Sequence, residues 1–520
     1  MNGARESGWA ALVPAACVAA ALALAVLPLL GAELPGLIDL PNHVARAAIR
    51  ERIGDDPFYA AFYRCNPPFI PNAAYDAFAA ALSPWLAPPA IARTFTALAV
   101  LLPVCGAIAL ARALGNGSLL VVALAALCAY DYSLAWGFLN YRVGVGLALC
   151  GVAVAVRLHD APVAWRLLVG ALLTLAAFYC HALALLPYAV LVAGIEFDRG
   201  RRDAASVRRT AARVALALAP LAVPVATFLL KSPTAGELTS VGALDPAKGL
   251  RACAKALHAG IGVPDYLHLG LLALLAVLLL CCGRVRIVAG MHLPLALLAV
   301  ACLSCPDESS EASCLQERLP TMLVFALTAA LGWQPRRRAG SVAVAVLVAG
   351  GLVLRTTTLG DAYRERGRIL ADAQAALAAV PEGALLFTCT GPLADADHWQ
   401  KYRAPVLHAA CLRALSGRVF LPQLLVSALH HTVAPANETV AACVHQWNTA
   451  HGATTPEELR ARVRTLAGVY RAGMGAEECP ELPGGTFVVA VHFPADFAFP
   501  HDLLEPVVAT PHVRVFAVRD

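Results

Sequence analysis

The chain has 520 residues, of which 59% are hydrophobic and only 14% are charged, and its mean hydropathy is +0.66. This composition excludes an ordinary soluble protein. It indicates a polytopic α-helical membrane protein, because several runs rich in Ala, Leu and Val are long enough to span a bilayer. The formal net charge of +5 is small, and no combination of basic and aromatic residues predicts binding to nucleic acid.

The apolar runs predict about eleven transmembrane helices. We place them at 9–30, 91–112, 118–135, 138–157, 166–180, 182–197, 214–230, 266–282, 287–304, 320–334 and 340–355. The first run is longer than the core of a signal peptide and lacks a small-x-small cleavage site before Glu33. We therefore expect it to be retained as the first helix.

The arginine-rich links between these helices predict the orientation. With this set of helices, the links at 157–166, 199–213, 284–286 and 336–338 all fall on one side of the membrane. The excess of positive charge assigns that side to the cytoplasm, together with the N-terminus. The opposite side then receives the loops 31–90, 231–265 and 305–319 and the whole C-terminal region.

The first outer loop contains two predicted helices. Residues 42–53 carry apolar side chains at helical spacing and end at Gly54, which is typical of an amphipathic helix lying along a membrane surface. Pro41 prevents the preceding helix from continuing, and Asn42 is placed to cap the new one. A second helix is predicted at 72–86.

The chain becomes more polar near residue 356. Helices are predicted at 361–380, 401–415 and 456–472, and strands at 384–389, 486–493 and 512–518. We therefore expect a transmembrane domain at 1–355, which includes the first loop, and a C-terminal α/β domain at 356–520 outside the membrane.

The sixteen cysteines give no metal-ligand spacing, so no metal site is predicted. Cysteines that could pair in an oxidising compartment are Cys389, Cys411, Cys443 and Cys479 in the C-terminal domain and Cys305 and Cys314 beside an outer loop. The alternative is that they are small apolar residues of an Ala-rich chain. Motifs for nucleotide hydrolysis, serine hydrolysis and zinc proteolysis are absent from the sequence.

Four polar side chains lie close together where the first outer loop begins: Asp39, Asn42, His43 and Arg46. A carboxylate at the mouth of a membrane helix can accept a proton from a hydroxyl group. We predict Asp39 as the catalytic residue and the other three as substrate-binding residues. The alternative is that Asp39 and Asn42 are only loop and cap residues.

Further candidates lie on the same predicted side. Arg142, near Asn140, stands at the entrance of a span, where its guanidinium could hold a phosphate in bidentate geometry. Alternatively, Arg142 extends to the interface within an aromatic belt of Tyr132, Trp136 and Tyr141.

Arg318 is the second candidate for an anionic headgroup. His181 could contact the substrate or be a hydrogen-bonded structural residue. Four basic residues in the 231–265 loop could serve a pyrophosphate or an anionic lipid surface: Lys231, Lys248, Arg251 and Lys255.

This arrangement resembles the GT-C superfamily of membrane glycosyltransferases, which includes aminoarabinose and protein O-mannosyl transferases. The resemblance covers the layout of nearly the whole chain. Its motifs are short: the segment Asp39 to His43, the segment Asn66 to Asn72, the segment Trp136 to Asn140, and the segment Glu317 to Pro320.

The resemblance implies a bacterial inner-membrane enzyme that moves a sugar from a polyprenyl-phosphate donor to an acceptor on the periplasmic side. Asp39 would be the base, and Arg142 or Arg318 would bind the phosphate. The partners would be membrane lipids and the lipid-linked donor, with no cofactor and with an acceptor that the sequence does not identify. The alternative is a non-catalytic membrane protein that binds or transports a lipid or glycan.

Overall fold

The computed structural model describes residues 3–66, 70–231, 245–306, 314–391, 407–424, 431–438, 440–441, 455–474, 482–491 and 493–519. The chain divides into two compact units. The first, which we call the helical unit, comprises Met1–Leu30 and Thr96–Asp361. The second, which we call the mixed unit, comprises Gly31–Phe95 and Ala362–Asp520.

The helices are numbered in chain order. They are α1 (Gly3–Val26), α2 (Leu40–Arg52), α3 (Pro57–Phe62), α4 (Ala74–Leu82), α5 (Pro88–Ala113), α6 (Leu119–Leu127), α7 (Tyr132–Trp136), α8 (Leu139–Arg157), α9 (Val163–Cys180), α10 (Leu185–Arg202), α11 (Val207–Leu218), α12 (Ala222–Lys231), α13 (Pro246–Lys255), α14 (Val263–Cys282), α15 (His292–Ser304), α16 (Leu315–Ala330), α17 (Arg338–Leu377) and α18 (Pro456–Met474).

The strands are likewise numbered in chain order. They are β1 (Tyr63–Cys65), β2 (Gly283–Ile287), β3 (Leu331–Pro335), β4 (Ala384–Thr390), β5 (Val419–Phe420), β6 (Val433–Pro435), β7 (Thr486–Val491), β8 (Leu504–Ala509) and β9 (Val513–Val518).

Within the described residues, six helical segments are long and apolar enough to cross a membrane. They are Pro88–Ala113, Leu139–Arg157, Val163–Cys180, Val207–Leu230, Val263–Cys282 and Arg338–Leu377. Each overlaps a predicted span. Two further predicted spans form shorter apolar helices, at Ala15–Gly31 and His292–Ser304. The prediction of a helical membrane protein agrees with these segments, but they do not reproduce the count of eleven.

One predicted span is broken in the structure. The apolar run at 118–135 forms only α6, which ends at Leu127, and a separate short helix, α7. The break arises because Oδ1 of Asp131 accepts the backbone N–H of Leu134 at 3.0 Å and caps α7. Gly137, with φ of 88°, then ends α7 in the left-handed conformation that favours glycine.

Strands β2 and β3 pair antiparallel in the helical unit. Arg284 lies opposite Gln334, and Arg286 lies opposite Gly332. The pairing brings together two links, at 284–286 and 336–338, that the sequence predicts on one side of the membrane.

The mixed unit is built around a five-stranded sheet of order β5-β4-β7-β9-β8. Strand β4 runs parallel to β5 and β7, whereas β9 runs antiparallel to β7 and β8. Every residue of β4 is buried, as expected for a parallel strand covered on both faces. Leu459 and Val463 of α18 pack against Phe387 and Val488 of the sheet.

The strands predicted at 384–389, 486–493 and 512–518 and the helix at 456–472 are confirmed. The helix predicted at 401–415 is not, because its described part is the 3-10 turn Ala409–Leu415; residues 401–406 lie outside the described ranges. The helices predicted at 340–355 and 361–380 are one continuous helix, α17. The polarity of the sequence changes near 356, but no proline interrupts the backbone hydrogen bonds there.

The first loop belongs to the same unit as the C-terminal residues. Strand β1 of the loop pairs with β6, and the hydroxyl group of Tyr59 donates to the backbone oxygen of Gly417 at 2.9 Å. Arg52 donates to the backbone oxygen of Ala414, also at 2.9 Å. The sequence predicts the loop as part of a domain ending at 355, and these long-range contacts are not visible in local patterns.

Candidate functional site

Asp39 lies at the start of α2 in the mixed unit. It occupies the N-cap position, and Pro41 follows in the first turn, where a helix does not need the missing N–H. The Asp39 carboxylate makes no capping bond. Instead, its Oδ1 lies 3.5 Å from Nε2 of His408, and both side chains are buried. No pattern in the sequence indicates a role for His408, because a lone histidine in a predicted helix carries no sign of a distant partner.

Asn42 has a different role from the predicted cap. Helix α2 begins at Leu40, so Asn42 lies within the first turn. Its Oδ1 accepts a hydrogen bond from Sγ of Cys411 at 3.4 Å, and both side chains are buried. Burial raises the pKa of the Cys411 thiol. Asn42 therefore joins α2 to the 3-10 turn Ala409–Leu415.

Arg46 is held by a carboxylate of the protein. Its Nε lies 3.0 Å and 3.2 Å from the two oxygens of Asp76, and its Nη2 lies 3.1 Å from Nδ1 of His43. Thr432 donates a further hydrogen bond to Asp76 at 2.7 Å. Because the Arg46 side chain is fully buried, the structure places it in the core of the mixed unit rather than at a ligand surface.

Arg142 is held in the same way in the helical unit. Its Nη1 lies 2.5 Å from Oδ1 of Asp131, and its other nitrogens donate to the backbone oxygens of Ala99 and Ala129. The side chain is fully buried, as is that of nearby Asn140. In this structure the Arg142 guanidinium is therefore not exposed to a ligand, because it is buried and paired with the carboxylate of Asp131.

Two predicted residues do lie together in the helical unit. Nη1 of Arg318 contacts Nε2 of His181 at 2.7 Å. The Arg318 guanidinium also lies over the ring of Phe138, 4.1 Å from its centroid. The Tyr141 hydroxyl donates to the backbone oxygen of Arg318 at 2.8 Å and so fixes the start of α16.

A row of aromatic rings leads from Arg318 to a second cation. The rings of Phe138 and Trp136 are stacked, with their centroids 5.8 Å apart. The rings of Trp136 and Tyr132 meet edge to face, with their centroids 6.1 Å apart. Nζ of Lys255 lies 4.5 Å from the centroid of the Tyr132 ring. We call Tyr132, Trp136, Phe138, His181, Lys255 and Arg318 the cation–aromatic cluster.

One carboxylate moderates the charge of this cluster. Lys255 donates to Oε1 of Glu317, which precedes Arg318 on the first turn of α16. Arg318, Lys255, His181, Trp136 and Phe138 are all partly exposed, in contrast to the fully buried Arg46 and Arg142. The cluster can therefore meet a ligand that combines negative charge with an apolar surface. Among the described residues, no three His, Cys, Asp or Glu side chains are grouped as a metal site requires.

The mixed unit also contains a cavity of about 320 Å³ between α2, α4 and the start of α5. Its wall is mainly apolar, from Val44, Ala48, Tyr75 and Ile91, with polar contributions that include Arg50 and Asp76. No residue predicted from the sequence as part of the site lines this cavity.

No family model and no curated protein matches the sequence. Among solved structures, the chain is similar to ArnT from Cupriavidus metallidurans in the apo state, with 14% identity and a TM-score of 0.49, over 99% of this chain and 98% of that one. It is also similar to the same ArnT bound to undecaprenyl phosphate, with 14% identity and a TM-score of 0.48, over 98% of both chains. These values are too low to transfer a function.

Proposed function

We propose that the protein is a membrane glycosyltransferase of GT-C type that transfers a sugar from a polyprenyl-phosphate donor to an acceptor. The observation that carries this proposal is the cation–aromatic cluster of the helical unit. Two cations stand at the ends of a row of three aromatic rings, and both remain partly exposed. A phosphate attached to an isoprenoid chain has the matching chemistry, an anionic head on an apolar tail.

The contact between Arg318 and His181 fits a phosphate group. Nη1 of Arg318 lies 2.7 Å from Nε2 of His181, while Nδ1 of the same ring accepts the backbone N–H of Leu183 at 3.2 Å. A neutral imidazole that accepts at Nδ1 carries its proton on Nε2, so two N–H donors face each other at the Arg318 contact. A phosphate oxygen between Arg318 and the Nε2–H of His181 would accept from both.

Glycosyl transfer also needs a base. The acceptor oxygen attacks the anomeric carbon, the bond from that carbon to the phosphate oxygen breaks, and the acceptor proton passes to the base. We assign the base to Asp39 of the mixed unit, as the resemblance to GT-C enzymes implies. The cations would stabilise the negative charge on the departing phosphate. The proposed setting is the periplasmic face of a bacterial inner membrane.

A lipid-binding protein without catalytic activity is the second candidate. It is favoured by the low exposure of Asp39, which is 9%. Such a protein would use the cation–aromatic cluster in the same way and would not need a base.

The test uses the full-length protein purified in detergent with a pool of radiolabelled polyprenyl-phosphate sugars and candidate acceptors. Wild type is compared with Asp39→Asn, Arg318→Ala and Arg209→Ala, the last being an exposed arginine of α11 outside the cluster. We expect full transfer by wild type and Arg209→Ala, weaker transfer by Arg318→Ala and none by Asp39→Asn. Bound lipid without transfer in wild type would support the second candidate, and neither transfer nor bound lipid would reject both.

A further inference from the structure

Helices α13 and α15 approach each other closely in the helical unit. A Cβ atom at Gly249 of α13 would lie 2.7 Å from the backbone oxygen of Cys302 and 3.0 Å from Cα of Leu303. The first distance is shorter than real Cβ contacts, and the atom it reaches is backbone that cannot move aside, so only glycine fits there. The backbones of the two helices are therefore in direct contact at Cys302.

Two cysteines lie at this contact. Cys253 is four residues after Gly249, so it lies on the same face of α13, one helical turn along from the contact with Cys302. Cys302 is fully buried, whereas Cys253 is partly exposed. A disulfide needs Cα atoms within about 7 Å and side chains that point at each other, and both conditions suit helices packed through a glycine.

We propose that Cys253 and Cys302 are a disulfide site that links α13 to α15. The partly exposed thiolate of Cys253 attacks a disulfide of a thiol–disulfide oxidant and displaces one of its sulfurs as a thiolate. Cys302 then attacks the mixed disulfide at the sulfur of Cys253 and displaces the second. The new bond forms between the two cysteines, and the two sulfurs of the oxidant leave as thiols with both electrons.

The link would hold one end of the cation–aromatic cluster. Lys255 follows Cys253 by two residues and ends α13, where it pairs with Glu317. At the start of α13, Gln316 donates to the backbone oxygen of Asp245 at 2.8 Å. A disulfide would add a covalent tie between these two contacts. It does not depend on glycosyl transfer, since it rests on the packing of α13 alone.

The test is a thiol-trapping experiment on the full-length protein in membranes. Membranes are treated with oxidised glutathione, denatured in N-ethylmaleimide to block remaining thiols, reduced, and then labelled with a maleimide of high mass. We expect wild type to gain two labels that peptide mass spectrometry assigns to Cys253 and Cys302. Cys253→Ser and Cys302→Ser should each lose both labels, because the remaining thiol of the pair is blocked in the first step.

Cys305→Ser is the matched control, since Cys305 lies one turn beyond Cys302 near the end of α15. It should keep both labels. The proposal is overturned if wild type shows neither label after oxidation. It is equally overturned if Cys253→Ser still labels Cys302, because Cys302 would then pair with another cysteine.

Discussion

Arg318 and His181 are 137 positions apart in the chain, yet Nη1 of Arg318 lies 2.7 Å from Nε2 of His181. Nδ1 of the same ring accepts the backbone N–H of Leu183, so a neutral His181 carries its proton on Nε2, and two N–H donors face each other at this contact. The contact closes one end of the cation–aromatic cluster and leaves the guanidinium partly exposed above Phe138. Arg318 is therefore the residue through which the proposed phosphate contact is best tested.

Two replacements of Arg318 should weaken the binding of a polyprenyl phosphate to different extents. Arg318→Ala removes a charge-assisted hydrogen bond, for which about 1.5–3 kcal/mol corresponds to roughly a 10- to 100-fold loss of affinity. Arg318→Lys keeps the charge but loses the planar fork, and we expect a smaller loss. Retention of radiolabelled lipid by the purified protein measures both. Arg209→Ala should bind the lipid like wild type. If Arg318→Ala also binds it like wild type, the phosphate does not bind at Arg318.

Asp39→Asn should abolish transfer without unfolding the protein. A positioned general base contributes about 10²- to 10⁴-fold to rate, so kcat should fall by at least that lower value while KM changes little. Asp56→Asn is the control, because Asp56 also lies in the mixed unit but caps α3 and pairs with the exposed Arg418. Thermal unfolding followed by fluorescence checks that both variants are folded. Retained turnover in Asp39→Asn would show that Asp39 is not the base.

Breaking the ion pair of Arg46 and Asp76 should strongly destabilise the mixed unit. Both side chains are fully buried, so Arg46→Ala leaves an uncompensated carboxylate, at a cost of about 3–5 kcal/mol. Arg418→Ala breaks a pair that is partly exposed and screened by water, so its effect on stability should be far smaller. Denaturant unfolding of the two variants measures the difference. The double variant Arg46→Met with Asp76→Leu should recover much of the loss, since neither charge is then buried alone.

The sequence predicted the elements whose pattern is local. Long apolar runs gave α5, α8, α9 and α14 to within a few residues, and buried apolar segments gave the central strands of the sheet. The break between α6 and α7 was missed because the surrounding residues are apolar and the capping carboxylate, Asp131, is also the partner of Arg142. A residue that serves two contacts at once cannot be identified from its neighbours in sequence.

Contacts between distant segments also decide which of the predicted arginines are buried and which one is exposed. Arg46, Arg142 and Arg318 looked alike as arginines near a predicted outer face. In the structure, Arg46 forms an ion pair with Asp76 and Arg142 forms one with Asp131. Arg318 remains partly exposed. Which arginine meets a carboxylate depends on pairings between distant segments. His408 was missed on the same ground, since its contact with Asp39 joins opposite ends of the chain.

His258 should make the helical unit sensitive to acid. It lies in the short connection between α13 and α14, where Nδ1 accepts the N–H of Gly260. Burial, the largest effect, lowers the pKa of His258 to about 4. Asp265 and Asp131 raise it, whereas Arg355 and Lys255 lower it further. The imidazole is therefore neutral in the folded protein at neutral pH.

The sign of the effect follows from the unfolded value of about 6.5. Above pH 6.5 the imidazole is neutral in both states, and His258 gives no pH dependence. Between pH 6.5 and 4 the unfolded chain binds the proton first, so the free energy of unfolding falls, by about 3 kcal/mol in all. Denaturant unfolding at pH 7 and pH 4 should show that His258→Gln loses less stability on acidification than wild type. His512→Gln, which changes a surface histidine, should behave like wild type. Equal losses in wild type and His258→Gln would show that His258 is not held neutral by burial.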